Sequence, residues 1–312
     1  MRRVLITCPP MLLLIDEFRS RFYECGIELL TPKIIQTLDE GELIGMLPAC
    51  DGWIAGDDPA NRRVLASGAA GKLRVLIKWG VGVDNVDQAA CKALNLKFAH
   101  TPGVFGKEVA DLAVNYIGGL ARETMRIDRE IRIYNGWPKP SGISLAGKVV
   151  ALVGLGDIGR QAARRLFAAD MKIIGYDPLV ENMHDIGVEW AQWPDRLEEA
   201  DFLLFTCPLT DMTRGIFNSA LLPRLKRGVR VVNVARGGVV VTEALIEGLR
   251  SGAVHSAALD VYENEPLSPD SPLREFERCI FGSHNASNTE DAVRRVSHRA
   301  IDLLVGFLDS QS

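Results

Sequence analysis

Short apolar runs of the kind that form buried strands occur at residues 4–8, 52–55, 75–78 and 96–99, separated by stretches of helical spacing such as 12–25 and 88–94. This alternation predicts a parallel sheet covered by helices on both faces. A second series of runs, at 149–153, 172–176, 202–207, 230–234, 257–261 and 279–282, predicts a second unit of the same α/β kind. Between the two series, Val109, Leu112, Ala113, Tyr116, Ile117 and Leu120 recur at helical spacing within 107–135. One long linking helix is expected there, starting after Thr101-Pro102-Gly103 and ending near Gly136-Trp137-Pro138. At the other end, Asn288 or Thr289 can cap a closing helix with Glu290 and Asp291 in its first turn. Its expected apolar stripe is Val293, Val296, Ala300, Leu303, Leu304 and Phe307.

Length and composition narrow this picture. The 312 residues suit two domains, and 47% hydrophobic against 24% charged residues is the balance of a globular chain with a sizeable core. A net charge of -4 without a basic block argues against a nucleic-acid partner. The six cysteines are far apart with no C-x-x-C pair, which reads as reduced, mostly buried thiols. The apolar run at the N-terminus breaks at Pro9-Pro10, too early for a signal-peptide core, and no stretch is long enough to span a bilayer. A cytoplasmic location with no membrane partner is expected. Nothing in the pattern suggests a metal site: there is no H-E-x-x-H, and the G-x-S-x-G of a hydrolase is absent too.

The first chemistry-bearing motif opens the second series. Val149-Val150-Ala151-Leu152-Val153 leads into Gly154-Leu155-Gly156-Asp157-Ile158-Gly159, followed by a helix-like run at 161–169. G-x-G-x-x-G is weak alone, but here it lies between a strand and a helix. Gly154 permits the tight turn, Gly156 lets backbone approach a pyrophosphate, and Gly159 allows close helix-strand packing. Phosphate would meet the N–H groups at the start of the helix, around Asp157 and Ile158. Asp177, at the end of the next strand, is placed to accept from ribose hydroxyls and to repel a 2′-phosphate, so NAD is expected over NADP.

Beyond that loop, five blocks appear in order. They are Gly80-Val81-Gly82-Val83-Asp84-Asn85-Val86-Asp87, the loop 154–159, Val232-Asn233-Val234-Ala235-Arg236-Gly237-Gly238, Ala258-Leu259-Asp260-Val261-Tyr262-Glu263-Asn264-Glu265-Pro266, and Ser283-His284-Asn285-Ala286. In these the chain resembles the D-isomer-specific 2-hydroxyacid dehydrogenases, the family of phosphoglycerate, glycerate/hydroxypyruvate and D-lactate dehydrogenases. The resemblance implies that Arg236 grips the substrate carboxylate and carbonyl, that Glu265 orients a histidine, and that His284 is the acid/base. It also implies substrate contacts from the backbone N–H groups of Val81 and Gly82, with Lys78 and Trp79 beside them. Asp260, with Val234, Ala235 and His284 nearby, maps to the nicotinamide side, and Cys207 and Pro208 to the adenosine side.

Elementary chemistry agrees with the trio. Reducing a 2-oxo acid places negative charge on the carbonyl oxygen as hydride arrives, so a fixed cation and a proton donor are required there. Arginine supplies a permanently charged fork, histidine exchanges a proton near neutral pH, and a neighbouring carboxylate stabilises the imidazolium. Arg236 follows an apolar run at a strand's carboxyl end, whereas Glu265 alone reads as a surface residue and is promoted only by the resemblance. His100, which also ends an apolar run, is the runner-up cleft histidine. His184, His255 and His298 read as solvated or capping groups.

The expected architecture is two doubly wound α/β domains. A flavodoxin-like substrate domain (1–100 and 286–312) carries an inserted NAD-binding Rossmann domain (101–285), with the cleft between them, and the resemblance implies a homodimer. The segment Ala55-Gly56-Asp57-Asp58 is acidic where phosphoglycerate dehydrogenases often carry arginine and serine, which argues against a phosphorylated substrate. The chain ends soon after the closing helix, so no appended sensing domain or end-product control is expected. Two rivals stay open: a relative acting on another acid such as phosphite or formate, and a dinucleotide-sensing binding protein or corepressor. Glutamine stands at the Glu265 position in formate dehydrogenases, and a sensor has no need of the complete trio.

Overall fold

Five parallel strands, β1 (Arg2–Ile6), β2 (Ile27–Leu30), β3 (Gly52–Ala55), β4 (Val75–Lys78) and β5 (Lys97–His100), form one sheet in the order β2-β1-β3-β4-β5. Seven more, β6 (Val149–Val153), β7 (Lys172–Tyr176), β8 (Val188–Trp190), β9 (Phe202–Phe205), β10 (Val229–Asn233), β11 (Val254–Leu259) and β12 (Ile280–Phe281), form a second parallel sheet in the order β12-β11-β10-β9-β6-β7-β8. The first order is flavodoxin-like, and the second is the Rossmann order with a seventh strand added. These elements come from a computed structural model that describes residues 1–180 and 186–310, so His184 lies outside the described residues.

The chain divides into two compact units, Met1–Phe105 with Asn288–Ser312, and Gly106–Ser287. The first boundary falls after Phe105 rather than after 100 because the segment leaving β5 stays tied to its own sheet. Thr101 N–H donates to Gly80 O (3.1 Å), and Phe105 packs on Trp79 with ring centroids 5.3 Å apart.

Each sheet has an edge strand that the apolar pattern did not predict. In β2 only Ile27 is buried, and in β8 only Val188. A strand half-covered at a sheet edge carries no continuous apolar run, so its sequence looks like loop. The central strands β3, β4 and β9 are buried at every position.

Two expected helices are broken. In place of a continuous helix over 12–25 there are Pro9–Leu13, a 3₁₀ turn Ile15–Glu17, and Arg19–Glu24. Met11, Ile15, Phe18 and Phe22 are nevertheless all buried. The periodicity reported a buried face, which survived although the backbone path did not. The linking segment forms Gly106–Arg122 and Thr124–Tyr134, separated by Glu123 at φ 53. The Glu123 carboxylate accepts from Arg126 Nη1 at 2.8 Å. The first of these helices buries Val109, Ala113, Tyr116, Ile117 and Leu120; the second buries nothing. The closing helix Glu290–Asp309 is capped by Thr289, which accepts from Ala292 N–H (3.2 Å), and packs on β3, β4 and β5. Its buried stripe includes Ile301 and Leu308, whereas Leu303 and Phe307 are only half-buried.

All six cysteines are free, and all but Cys25 are buried. No helix among the described residues is long and apolar enough to cross a membrane.

Candidate active site

The strand order of the second sheet reverses between β6 and β9, which is where open α/β sheets bind ligands at their carboxyl ends. Gly154 sits at this point with φ 99, a conformation that favours glycine, and a Cβ on it would lie 2.7 Å from Cys207 N. Thr206 Oγ1 donates to Gly154 O (2.8 Å), stapling the loop to the end of β9. Gly159 has no room for a side chain against Gly154 O, whereas a Cβ on Gly156 would meet open space. The helix Asp157–Ala168 that follows has no side-chain cap at Gly156. Its first-turn N–H groups, including those of Asp157 and Ile158, are therefore left for an external acceptor, and a pyrophosphate fits that donor set.

Asp177 leaves β7 beside this loop. Its carboxylate accepts from Leu155 N–H (2.8 Å) and Leu179 N–H (2.8 Å), which orients it while leaving each oxygen a further lone pair. Cys207 is buried, and burial pushes its thiol up to about 11, so it is a neutral packing group at the end of the switch point. Pro208 is exposed, and its carbonyl accepts from Thr213 Oγ1 (2.6 Å).

Arg236 leaves β10 on a turn built by the side chain of Asn233, which is 1% exposed. The Asn233 amide accepts from Ala235 N–H (3.0 Å) and donates to Arg236 O (2.9 Å), fixing the backbone on both sides of the arginine. The Arg236 guanidinium donates through Nη1 to Ala235 O (2.9 Å). Directly after it, Gly237 packs against the main chain of Tyr262 so closely that a Cβ would overlap the Tyr262 carbonyl. This approach brings the turn after β10 against the segment 262–265.

Glu265 and His284 meet. His284 Nδ1 donates to Glu265 Oε2 at 2.8 Å, with both side chains about one-fifth exposed. The other carboxylate oxygen, Oε1, accepts from Tyr262 N–H at 2.9 Å. The carboxylate cannot turn away from the ring without losing a backbone bond. His284 has φ 55, which costs a non-glycine residue on the order of 1 kcal/mol. Asp260 holds it there. His284 N–H donates to Asp260 O (2.7 Å), and the Asp260 carboxylate accepts from Asn285 N–H (3.1 Å) and Ala286 N–H (2.8 Å).

Tyr262 closes this cluster. Its hydroxyl is shared between Gly282 O (2.9 Å) and Leu259 O (3.1 Å). Burial, then the carboxylates of Asp260 and Glu265, push the phenol well above its ordinary range, so it remains a donor. Burial likewise raises the phenol of Tyr116, whose hydroxyl faces Asp260. Asn233, Tyr262 and Tyr116 were given no site role from the sequence. Asn233 and Tyr262 each lie three residues before an expected site residue, Arg236 and Glu265, and Tyr116 appeared only in the helical spacing.

The remaining expected residues lie in the first unit. Lys78 is 3% exposed and pairs with Asp57 (Nζ to Oδ1, 2.9 Å). Trp79 is buried, and its indole N–H donates to Ser297 Oγ (3.1 Å). The N–H groups of Val81 and Gly82 donate to no group among the described residues. Of the other histidines, His298 is exposed and accepts from Arg21 Nη1 (2.9 Å). His255 is half-buried in β11 rather than solvated; burial, then the charges of Arg230 and Arg278, lower its basicity.

A Rossmann sheet with an open phosphate loop, an acidic residue at the end of its second strand, and a carboxylate-paired histidine beyond its seventh describes a pyridine-nucleotide-dependent dehydrogenase. The family model for the D-isomer specific 2-hydroxyacid dehydrogenase NAD-binding domain matches residues 114–286. A glyoxylate reductase of Thermofilum pendens is 35% identical over 78% of this chain and 74% of its own length. A hydroxypyruvate reductase of Thermotoga maritima is 34% identical, covering 85% of this chain and 87% of the relative. Among solved structures, an NAD-dependent formate dehydrogenase from Staphylococcus aureus in complex with NAD superposes with a TM-score of 0.88 at 25% identity, over 100% of this chain and 97% of that one. The chain belongs to the D-isomer specific 2-hydroxyacid dehydrogenase family. It is an NAD-dependent enzyme acting on the CH–OH group of small 2-hydroxy acids and on the matching 2-oxo acids.

Proposed function

We propose that Arg236, Glu265 and His284 catalyse interconversion of a small, unphosphorylated D-2-hydroxy acid and its 2-oxo acid. The observation that carries this reading is the Glu265–His284 pair, with one carboxylate oxygen on Nδ1 and the other locked on Tyr262 N–H. Residues 154–159, Asp177, Cys207 and Pro208, with Val234, Ala235 and Asp260 toward the nicotinamide, would hold NAD(H), which would supply or accept the hydride at C2. Because Nδ1 is engaged by Glu265, Nε2 is the nitrogen that gives its proton to the carbonyl oxygen in reduction and takes it back in oxidation. The Arg236 guanidinium binds the carboxylate and meets the charge developing on that oxygen. The N–H groups of Val81 and Gly82, beside Lys78 and Trp79, are assigned to the substrate carboxylate as well.

Support for an unphosphorylated substrate comes from the acidic segment after β3. Asp57 already neutralises Lys78, and Asp58 is fully buried, accepting from Thr7 Oγ1, Leu38 N–H (2.9 Å) and Gly56 N–H (3.1 Å). NADH consumption is therefore expected with glyoxylate, hydroxypyruvate or pyruvate, and His284→Ala is expected to abolish it while still binding NADH. Turnover confined to 3-phosphohydroxypyruvate, or oxidation of formate or phosphite in preference to any hydroxy acid, would refute the substrate assignment.

The Asp177 carboxylate is expected to make NADH the better reductant by a factor on the order of ten or more, through repulsion of a 2′-phosphate. Equal kcat/KM with NADH and NADPH would contradict this. A cytoplasmic homodimer completes the proposal. The supports are the buried free thiols and the helix Thr124–Tyr134, which buries nothing and leaves Met125, Ile131, Ile133 and Tyr134 exposed.

A further inference from the structure

The loop Gly80–Gly82 is tethered through its acceptors. Gly80, at φ 127, donates its N–H to Thr101 Oγ1 (2.8 Å), while Gly80 O accepts from Thr101 N–H (3.1 Å) and Thr101 Oγ1 (3.2 Å). The next carbonyl, Val81 O, accepts from His100 Nδ1 (3.0 Å). A carbonyl oxygen can only accept, so His100 carries its proton on Nδ1 in this arrangement. The register explains the meeting: His100 is the last residue of the edge strand β5 and pairs with Lys78 of β4, two residues before Gly80.

A trans peptide points its C=O and N–H in opposite directions. Holding Val81 O on the imidazole therefore aims Gly82 N–H the other way, and that N–H, like the one before it, has no partner among the described residues. In a glycine-flanked loop the Val81–Gly82 peptide would otherwise rotate with little resistance, since glycine tolerates both orientations.

We propose that His100 is a positioning residue for substrate: through Val81 O it sets the peptide whose Gly82 N–H receives the carboxylate of the 2-oxo acid. This rests on the assignment of Val81 and Gly82 to the substrate carboxylate. His100 itself does not touch the reacting atoms. Its loss weakens substrate binding and leaves hydride transfer and cofactor binding alone. Asparagine places an amide N–H close to where the ring places Nδ1–H, so His100→Asn retains the function that His100→Ala removes.

The test measures oxamate binding to the enzyme–NADH complex by calorimetry, and KM and kcat with glyoxylate, for the parent, His100→Ala, His100→Asn and Arg236→Leu. In His100→Ala, oxamate Kd and glyoxylate KM should both rise about fivefold, the scale of one neutral hydrogen bond. Its kcat and NADH Kd should stay within about twofold of the parent, and His100→Asn should recover parental Kd and KM within about twofold on the same scale. Unchanged Kd in His100→Ala, while Arg236→Leu abolishes oxamate binding, overturns the role of His100 and leaves the proposed function standing. Asparagine behaving like alanine overturns it too, in favour of simple packing by the ring. Failure of the parent to bind oxamate, or binding indifferent to Arg236, overturns the proposed site and this inference with it.

Discussion

Replacing Arg236 by lysine is expected to lower kcat/KM for the preferred 2-oxo acid by roughly 30- to 1000-fold, or about 2–4 kcal/mol of transition-state stabilisation. The substitution keeps one positive charge, so a role limited to long-range attraction would leave the rate nearly intact. What disappears is the planar fork that binds a carboxylate and reaches a developing oxyanion together. The backbone should not follow the side chain, because the Asn233 amide holds Ala235 N–H and Arg236 O. The loss should therefore fall on kcat and KM for the acid, with NADH affinity unchanged by fluorescence titration. Near-parental turnover in the lysine variant would remove Arg236 from the proposed site.

Changing Glu265 to glutamine is expected to move both pH limbs in the same direction. Reduction requires protonated His284 and oxidation requires the neutral ring. With its carboxylate partner gone, the imidazolium loses its proton at lower pH. The reductive rate should thus begin to fall, and the oxidative rate begin to rise, at a lower pH than in the parent. A second effect follows from the geometry. Glutamine has a single acceptor oxygen where the carboxylate uses two, one on Tyr262 N–H and one on His284 Nδ1–H. If the amide oxygen stays on the backbone N–H, its NH₂ group faces Nδ1 and favours the tautomer protonated on Nε2, which cannot accept a proton from the hydroxy acid. The plateau of the oxidative rate should drop on the order of tenfold or more, as expected when an acid/base histidine is held in the wrong tautomer. The profiles require kcat/KM in both directions, with deuterated NADH confirming that the chemical step limits the rate. Superimposable profiles, or limbs moving apart, would rule out the pairing.

Much of this machinery was legible along the chain. Central strands are buried on both faces, so β3, β4, β6 and β9 announce themselves as apolar runs, and the spacing of Gly154, Gly156 and Gly159 between a strand and a helix is read directly along the chain. The edge strands β2 and β8 were not legible, because half-covered backbone imposes no pattern. The break at Glu123 was equally silent: helical spacing continues through it although the residue itself is left-handed. Glu265 shows the limit of reading residues alone, since a glutamate in a loop before proline has no local mark of function.

Sequence by itself determined the class of fold and the dinucleotide loop, because these rest on local periodicity and turn chemistry, while the resemblance to a known family pointed to which arginine, glutamate and histidine to examine. Tertiary structure alone decided how they are held. Asn233 fixes the Arg236 turn, Tyr262 N–H locks the Glu265 carboxylate, and Asp260 keeps His284 in a left-handed conformation. It also decided that His100 faces Val81 O. Asn233–Arg236 and Tyr262–Glu265 are local turn contacts, whereas Asp260–Ala286 and His100–Val81 join residues 26 and 19 positions apart beyond the ends of neighbouring strands. Strand order and register determine the latter, and a linear pattern of apolar and polar positions does not encode which strand ends become neighbours.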